Sequence, residues 1–265
     1  MFSERTLDTG PAADELAAVR ERHAPDALVL DCERDFETLD PAVAEELALL
    51  TDRLDPHSYP AEWVPESAPE LLQRYASDEF TVGMPGDGGV AWTRQTDPPT
   101  VFVKPRLAGS PDSFVAFLLA EALVEVGLDV PEQFLGFFED QYAALSAAVP
   151  LAPSETYQLA AALYTGYVGL QTREVFADWE DDSPVLFDAW VDAGERLKPR
   201  LDGLSKELAR GETAFPAAAE LACSAIKHQG EVPSPFAALD TTAYLDHGPT
   251  YAVEWARKTF EKLGE

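Results

Sequence analysis

The hydrophobic pattern of the chain is densest between residues 80 and 128, and this stretch organises the predicted fold. Three short apolar or alternating runs are typical of β-strands, and they precede a longer run, residues 111–126, that is apolar nearly all round. A helix with no polar face is buried. The pattern therefore predicts a small antiparallel β-meander packed on a buried central helix. The predicted strands are 80–84, 90–95 and 100–104.

Turn and cap residues support these bounds. Pro85-Gly-Asp-Gly-Gly89 lies between the first two predicted strands and is a strong hairpin-turn signal. Ser110 and Pro111 are a preferred cap and a preferred first helical residue, and Gly127 is a typical helix end. The sequence thus predicts a helix that begins near Pro111 and ends before Gly127.

The rest of the chain reads mainly as helix, with one further strand at 27–32. No linker is long or polar enough to mark a domain boundary, so we expect one compact domain over residues 1–265. The fold class predicted is α+β, helix-dominated, with a helical N-terminal segment (1–79), the meander and central helix (80–128) and a helical C-terminal half (129–265). Further helices are predicted at 11–23, 40–54, 70–76, 131–148, 154–178, 184–209, 214–228 and 249–263.

Gly166 and Gly169 lie within the second helix after the central one. Glycine inside a helix costs stability unless it has a packing reason. We therefore expect another helix to approach closely at these two positions.

The charge balance narrows the range of partners. The chain has 48 acidic and 19 basic residues, a net charge of −29 and a pI near 4.3. Such a charge repels phosphate backbones and anionic lipid, so neither nucleic acid nor a membrane is an expected partner. The first residues contain no signal-peptide pattern, and 156–172 is too short and too polar to span a bilayer. These features predict a cytoplasmic protein.

The acidic residues are spread along the chain, Asn is absent and only six residues are Lys. This composition favours an acidic surface adapted to high salt, where screening weakens repulsion; the alternative is an ordinary acidic protein of a mesophile. Two segments, Glu21-Arg-His-Ala-Pro-Asp-Ala-Leu-Val-Leu-Asp31 and Val82-Gly-Met-Pro-Gly-Asp-Gly-Gly-Val90, resemble an uncharacterised protein family of halophilic archaea. The resemblance covers most of the chain, and it implies no activity.

The motifs of several common enzyme and metal-binding classes are absent from the sequence. It contains no P-loop, no GxSxG, no HExxH and no paired-cysteine metal motif, and its four histidines are isolated. Cys32 and Cys223 are expected to be free thiols, with one long-range disulfide as the alternative. We predict neither a cofactor nor a metal.

One candidate pocket emerges around the central helix. Glu121 and Glu125 are four residues apart and project from one helix face, and Lys104, Arg106 and Arg94 lie on strands expected beside it. Paired buried carboxylates need cations or a shared proton and can mark a site. The alternatives are a purely structural set of ion pairs or a solvent-facing stripe.

Two further patterns are weaker indications of a site. Ala120-Glu121-Ala-Leu-Val124 on a buried helix after a strand is similar in arrangement to the zincin metallopeptidase helix, but Ala120 and Val124 stand where that helix has its histidine ligands. Asp31, Glu33 and Asp35 follow a predicted strand and could hold Mg²⁺. In a chain with 48 acidic residues such a group is expected by chance.

Two classes of function remain. The first is a non-catalytic binding or scaffold protein with a protein or small-molecule partner. The second is a hydrolase, or a degenerate zincin-like relative, that uses Glu121 or Glu125 with Lys104 and Arg106. We favour the binding protein, because the sequence contains no nucleophile–base pair or ligand set.

Overall fold

The structure, a computed structural model, describes residues 1–7, 10–83 and 88–263. The chain divides into two compact units. Unit 1 comprises Met1–Ser58, Ser77–Gln133 and Asp178–Ala189, and unit 2 comprises Tyr59–Ala76, Phe134–Ala177 and Trp190–Glu265. The helix-dominated α+β class with a helical C-terminal half is confirmed. Part of the predicted hairpin turn, residues 84–87, lies outside the described residues.

The strands are short and the helices carry most of the ordered chain. Short 3-10 helices also occur, at Ala61–Trp63, Pro105–Leu107 and Phe236–Leu239. The elements in chain order are β1 (Phe2–Glu4), α1 (Ala13–His23), β2 (Leu28–Cys32), α2 (Pro41–Ala48), β3 (Arg53–Leu54), α3 (Glu70–Ala76), β4 (Val90–Thr93), β5 (Thr96–Asp97), β6 (Thr100–Val103), α4 (Asp112–Val126), α5 (Phe134–Phe138), α6 (Gln141–Ala148), α7 (Pro153–Ala177), α8 (Trp179–Asp182), α9 (Pro184–Leu201), α10 (Leu204–Ala209), α11 (Phe215–Ile226) and α12 (Thr242–Leu263).

A four-stranded sheet with the order β1-β2-β6-β4 forms the centre of unit 1. β4 pairs antiparallel with β6, as predicted for the second and third strands of the meander. β2 pairs parallel with β6, with Val29 beside Val101, and β1 pairs antiparallel with β2. The sheet is therefore assembled from three separated parts of the chain.

The predicted first strand, 80–84, is wrong for the residues that the structure describes. Thr81 makes one isolated antiparallel bridge to Thr38, and the Val82 N–H donates to the Glu37 carbonyl at 2.8 Å. Phe80 and Val82 are buried in a core cluster. The apolar alternation thus reports burial of an extended segment, whose backbone is satisfied by the 37–39 segment and not by β4.

The helix predicted at 40–54 is also shorter than expected. It ends at Ala48, and Arg53–Leu54 forms a two-stranded ribbon with Thr96–Asp97. Non-local pairing of this kind overrides local helix propensity.

The prediction of a buried central helix is confirmed by α4. Eight of its fifteen residues are buried, and it packs against α1 and against β4. Gly127, directly after the helix, lies close to the end of α1: a Cβ built there would be 2.4 Å from the His23 carbonyl oxygen. The glycine at this stop is thus required by a close approach of the two helix ends.

The other side of the sheet also carries a core. Leu30, Phe102 and Ala91 are neighbours in the strand register and belong to one buried cluster. Phe2 and Phe36 pack against Phe102 with ring centroids 5.7 and 5.3 Å from its own. Both faces of the short sheet are therefore covered.

Unit 2 is helical, and its longest helix, α7, packs most extensively against α11. A Cβ on Gly166 would lie 3.2 Å from the Cys223 sulfur, and one on Gly169 would lie 3.0 Å from the Lys227 backbone nitrogen. The predicted close approach at these glycines is confirmed.

Three predicted helices have different bounds. The run 131–148 forms α5 and α6, separated near Glu139, which has a positive φ of 51°. The run 184–209 forms α9 and α10. The last helix begins at Thr242 and not at 249, with a break at Gly248, where φ is 47°. Apolar periodicity continues across these breaks, so it does not reveal them.

Candidate functional site

A pocket of about 400 Å³ opens in unit 1 beside the ends of β2 and β6. These two strands run parallel, so their carboxyl ends meet at the same edge of the sheet. Ligands of sheets with parallel strands bind outside such ends. Ser110 and Asp112, at the start of α4, also line the pocket. We call this cavity the Lys104 pocket.

Lys104 follows the last residue of β6 and is buried, with 1% of its side chain exposed. Its backbone N–H donates to the Gly89 carbonyl at 2.7 Å. This hydrogen bond fixes the backbone position from which the Lys104 side chain extends. In the part of the chain that the structure describes, Nζ has no hydrogen-bond partner. An amine with three donors is therefore buried against a cavity without a partner that accepts from it.

One carboxylate lies near this amine without hydrogen-bonding to it. Asp35 Oδ1 is 3.7 Å from Lys104 Nζ. The other oxygen of Asp35 accepts from Arg106 Nε at 2.7 Å and also pairs with an Arg106 terminal nitrogen. Asp35 and Arg106 are both 42% exposed. The aspartate is thus shared with a solvated arginine, and it only partly offsets the buried ammonium.

A second pair of opposite charges lines the pocket. Arg5 donates to Asp31 Oδ1 through Nε at 2.9 Å and Nη2 at 2.8 Å. Cys32 is next to Asp31 and lines the same pocket; burial raises the pKa of its thiol to about 12, although the charge of Lys104 acts to lower it. Such a thiol is protonated at neutral pH and is a poor nucleophile.

One part of the pocket wall is apolar, beside polar lining residues such as Thr6 and Ser110. It is built from β6, α1 and α4, since the apolar residues of these elements meet on one face of the sheet. The apolar side chains that line it include Leu16, Val103, Val115, Ala116 and Leu119. The pocket thus combines one apolar wall with a buried cation.

The five residues predicted as a pocket do not share this cavity. Of the five, only Lys104 is among the residues that line it. Arg106 pairs with Asp35, whose other carboxylate oxygen lies 3.7 Å from Lys104 Nζ. Glu125 accepts from the Trp92 indole N–H at 2.7 Å, and Glu121, on the same helix, is buried with 9% exposure. The glutamates are therefore placed away from the pocket lining.

Arg94 has its own set of contacts near the glutamate end of α4. Nη1 donates to the Leu128 carbonyl at 3.0 Å, and Nη2 donates to the Val130 carbonyl. The guanidinium lies 5.0 Å from the centre of the Trp92 ring. These contacts fix the loop that follows α4, which is a structural role.

A buried carboxylate that the sequence did not single out forms a second polar centre, also in unit 1. Glu132 has 2% of its side chain exposed. It accepts from Thr93 Oγ1 at 2.7 Å, from the Arg94 backbone N–H at 2.8 Å and from Gln95 Nε2 at 2.6 Å. His57 Nε2 is 3.4 Å away. We call these residues the Glu132 network.

Sequence reasoning missed both Glu132 and the role of Asp35. Glu132 follows Pro131 in a loop and looks like one of 48 acidic residues. The one usable signal for Asp35 was its position after a predicted strand, in the group Asp31, Glu33 and Asp35. That group was considered as a Mg²⁺ site, but two of its members pair with Arg5, Lys104 and Arg106 instead.

Neither a metal-binding cluster nor a membrane-spanning helix occurs in residues 1–7, 10–83 and 88–263. Within the described ranges, no group of three or more His, Cys, Asp and Glu side chains is placed to hold a metal ion. Cys32 and Cys223 are both buried free thiols. In the same ranges no helix is both long and apolar enough to cross a bilayer.

Comparisons with known proteins place the whole chain in one family. Searches of curated proteins and of solved structures give no match. A family model described as a family of unknown function, DUF7089, matches residues 1–263. The chain therefore belongs to the DUF7089 family.

Proposed function

We propose that this protein is a non-catalytic binding protein whose partner is a small anionic molecule held in the Lys104 pocket. The observation that carries the proposal is the Lys104 ammonium, buried against a cavity of about 400 Å³ with no hydrogen-bond partner among the described residues. Burying a charge is unfavourable unless it is paired and hydrogen-bonded. Nζ is almost inaccessible from the pocket, so an anion would supply the missing acceptor once the side chains beside Nζ move apart.

The position of the pocket supports the same conclusion. It lies at the carboxyl ends of parallel strands, and α4 begins beside it at Asp112. Backbone N–H groups at a helix start favour negative charge. The volume falls within the range of small-molecule sites, roughly 300–1,000 Å³. A small ligand fits these features better than a protein partner does.

The hydrolase alternative has less support. It requires Glu121 or Glu125 to face a pocket with Lys104 and Arg106. Neither glutamate lines the Lys104 pocket, and the Glu125 carboxylate accepts a hydrogen bond from Trp92. The Cys32 thiol in the pocket has a pKa of about 12, which does not suit a nucleophile.

Binding of small anions to the wild-type protein and to Lys104→Met tests the proposal. We expect calorimetry to detect an anion that binds the wild type and binds the variant at least about tenfold more weakly, the loss expected for a buried charged hydrogen bond. Lys198→Met is the matched control, because Lys198 is exposed and pairs with Glu195. Equal binding by Lys104→Met would refute the proposal.

We also propose that the protein works in the cytoplasm of a halophilic archaeon, with an acidic surface suited to high salt. A net charge of −29 supports this, because self-repulsion destabilises a compact chain at low ionic strength. The melting temperature should rise as KCl is increased from 0.1 to 2 M. A melting temperature that does not change over this range would contradict the salt adaptation.

A further inference from the structure

We infer that residues 105–110 form a strap that closes over the Lys104 ammonium and opens to admit an anion. The inference rests on the proposed function, because it concerns access to the same site. Nζ has no hydrogen-bond partner among the described residues and almost no surface open to the pocket. An anion therefore reaches it only after neighbouring groups move, and the strap is a neighbour whose contacts permit such a movement.

The strap borders both the pocket and the surroundings of Nζ. It follows Lys104 directly, and all of its residues except Arg106 line the pocket. Arg106 Nε donates to Asp35 Oδ2 at 2.7 Å, while Oδ1 of the same carboxylate lies 3.7 Å from Lys104 Nζ. The Asp35 carboxylate thus lies between the strap and the buried ammonium. A movement of the strap changes the cover of Nζ on that side and the lining of the pocket together.

The cover of Nζ on this side is thin. Lys104 has 1% of its side chain exposed, whereas Asp35 and Arg106 each have 42%. The ammonium is therefore separated from solvent by groups that are themselves half solvated. Separating an exposed ion pair requires little free energy, because water and salt ions then solvate and screen its charges.

The backbone of the strap is built from local turns. The N–H groups of Leu107, Ala108 and Ser110 donate to carbonyls three residues earlier, at 3.0–3.1 Å. These hydrogen bonds lie within residues 104–110, so the strap can move as one body without breaking them. Gly109 has a φ of 83° and permits a change of backbone direction just before α4.

An apolar contact holds the strap against the residue before β4. A Cβ built on Gly89 would lie 2.0 Å from Leu107 Cγ, so the Leu107 side chain occupies the place of a side chain at position 89. The Gly89 carbonyl accepts the Lys104 N–H at 2.7 Å, which places this contact close to the lysine backbone. A side chain at position 89 therefore displaces Leu107 and moves the strap away from Gly89.

Acetylation of lysines with N-hydroxysuccinimidyl acetate at pH 8 measures the opening, because the reagent modifies only an amine that it can reach. Mass spectrometry of peptides gives the rate at Lys104, and Lys198, which is exposed, is the internal reference in the same protein. We expect Lys104 in the wild type to react at least about tenfold more slowly than Lys198, since its reaction requires a minor open state.

Four variants locate the strap. Gly89→Ala should raise the relative rate at Lys104 at least about fivefold, because the added methyl group overlaps Leu107. Gly88→Ala is the matched control and should leave the rate unchanged, since a Cβ at Gly88 meets nothing within 4 Å in the described part of the chain. Leu107→Ala removes the same contact from the side of the strap and replaces Gly89→Ala if that variant does not fold. Arg106→Gln, which removes the ion pair, should raise the rate about two- to fivefold.

The outcomes separate the strap from the proposed function. A folded Gly89→Ala or Leu107→Ala protein in which Lys104 reacts no faster than in the wild type would overturn the inference. A wild-type Lys104 that reacts as fast as Lys198 would also overturn it. Neither result bears on anion binding, which calorimetry of the wild type and Lys104→Met decides. If Lys104 is uncovered in Gly89→Ala but neither that variant nor the wild type binds an anion, the movement of the strap stands and the proposed function fails.

Discussion

Two of the buried charged side chains of unit 1, Glu132 and Lys104, have opposite surroundings. Glu132 meets three hydrogen-bond donors, from Thr93, Arg94 and Gln95, at 2.6–2.8 Å. Lys104 meets one carboxylate at 3.7 Å and, within the described ranges, has no hydrogen-bond partner. The first charge is satisfied by the protein itself, whereas the second is buried beside an unfilled volume.

The difference shows how a structural charge can be distinguished from a charge kept for a ligand. Desolvation is costly for both groups, and only hydrogen bonds offset it. In the Glu132 network the donors come from a strand end and the segment after it, so the carboxylate ties the 128–133 loop to the sheet. At Lys104 the sheet ends and a pocket begins. Burial alone does not mark a site; burial without a partner does.

The largest effect is expected for Glu132→Ala. Removing the carboxylate takes the acceptor from the Thr93 hydroxyl and the Arg94 N–H, whereas Gln95 Nε2 keeps the Thr81 carbonyl. We therefore expect the free energy of unfolding to fall by about 3 kcal/mol. Chemical denaturation measures this. Glu261→Ala, at an exposed position of α12, is the control and should change stability by less than about 0.5 kcal/mol. A Glu132→Ala protein as stable as the control would show that the buried Glu132 carboxylate does not stabilise the fold.

An intermediate effect is expected for Trp92→Phe. The change removes the indole N–H that Glu125 accepts at 2.7 Å, and it shortens the ring that Arg94 contacts. We expect a loss of about 1.5 kcal/mol, the usual contribution of a hydrogen bond to a charged group. Trp63→Phe is the matched control, because its indole N–H has no such bond among the described residues. Equal losses in the two variants would show that ring size, not the bond, matters.

The smallest effect on stability is expected for Lys104→Met in the ligand-free protein. Methionine keeps the volume of the side chain and removes a charge without a hydrogen bond, while Asp35 stays paired with Arg106. We expect the free energy of unfolding to stay within about 1 kcal/mol of the wild type or to increase. A loss comparable to that of Glu132→Ala would mean that the ammonium is a structural group, which contradicts the proposed function.

The fold illustrates which features a pattern can predict. The bounds of α4 differ by one residue from the prediction, because Ser110, Pro111 and Gly127 mark its ends. Its burial followed from an apolar run in which Glu121 and Glu125 are the only charges beyond the first turn. The strand at 80–84 failed because alternation reports burial on one side and not the partner of the backbone. β1 was missed because Phe2–Glu4 holds one apolar residue. The single-domain organisation stays a prediction.

The candidate site was predictable only in part, for a similar reason. Lys104 was named from its place at the end of a predicted strand, and it lines the pocket. Its carboxylate partner, Asp35, is separated from it by 69 positions, and His57 is separated from Glu132 by 75 positions. The prediction paired Glu121 and Glu125 with the cations nearest to them in sequence, among them Lys104, because sequence distance was the available guide.

The sequence alone determined the helix-dominated α+β class, the buried central helix, the close helix approach at Gly166 and Gly169, and the large negative charge. These features depend on composition and on periodicities within one element. The tertiary structure alone decided that β2 runs parallel to β6 and that their ends meet at a pocket. It also decided that the Glu132 carboxylate accepts three hydrogen bonds, whereas the Lys104 ammonium makes none with the residues that the structure describes. Such facts depend on contacts between distant segments, which are fixed only when the chain folds and each buried charge acquires or lacks a partner.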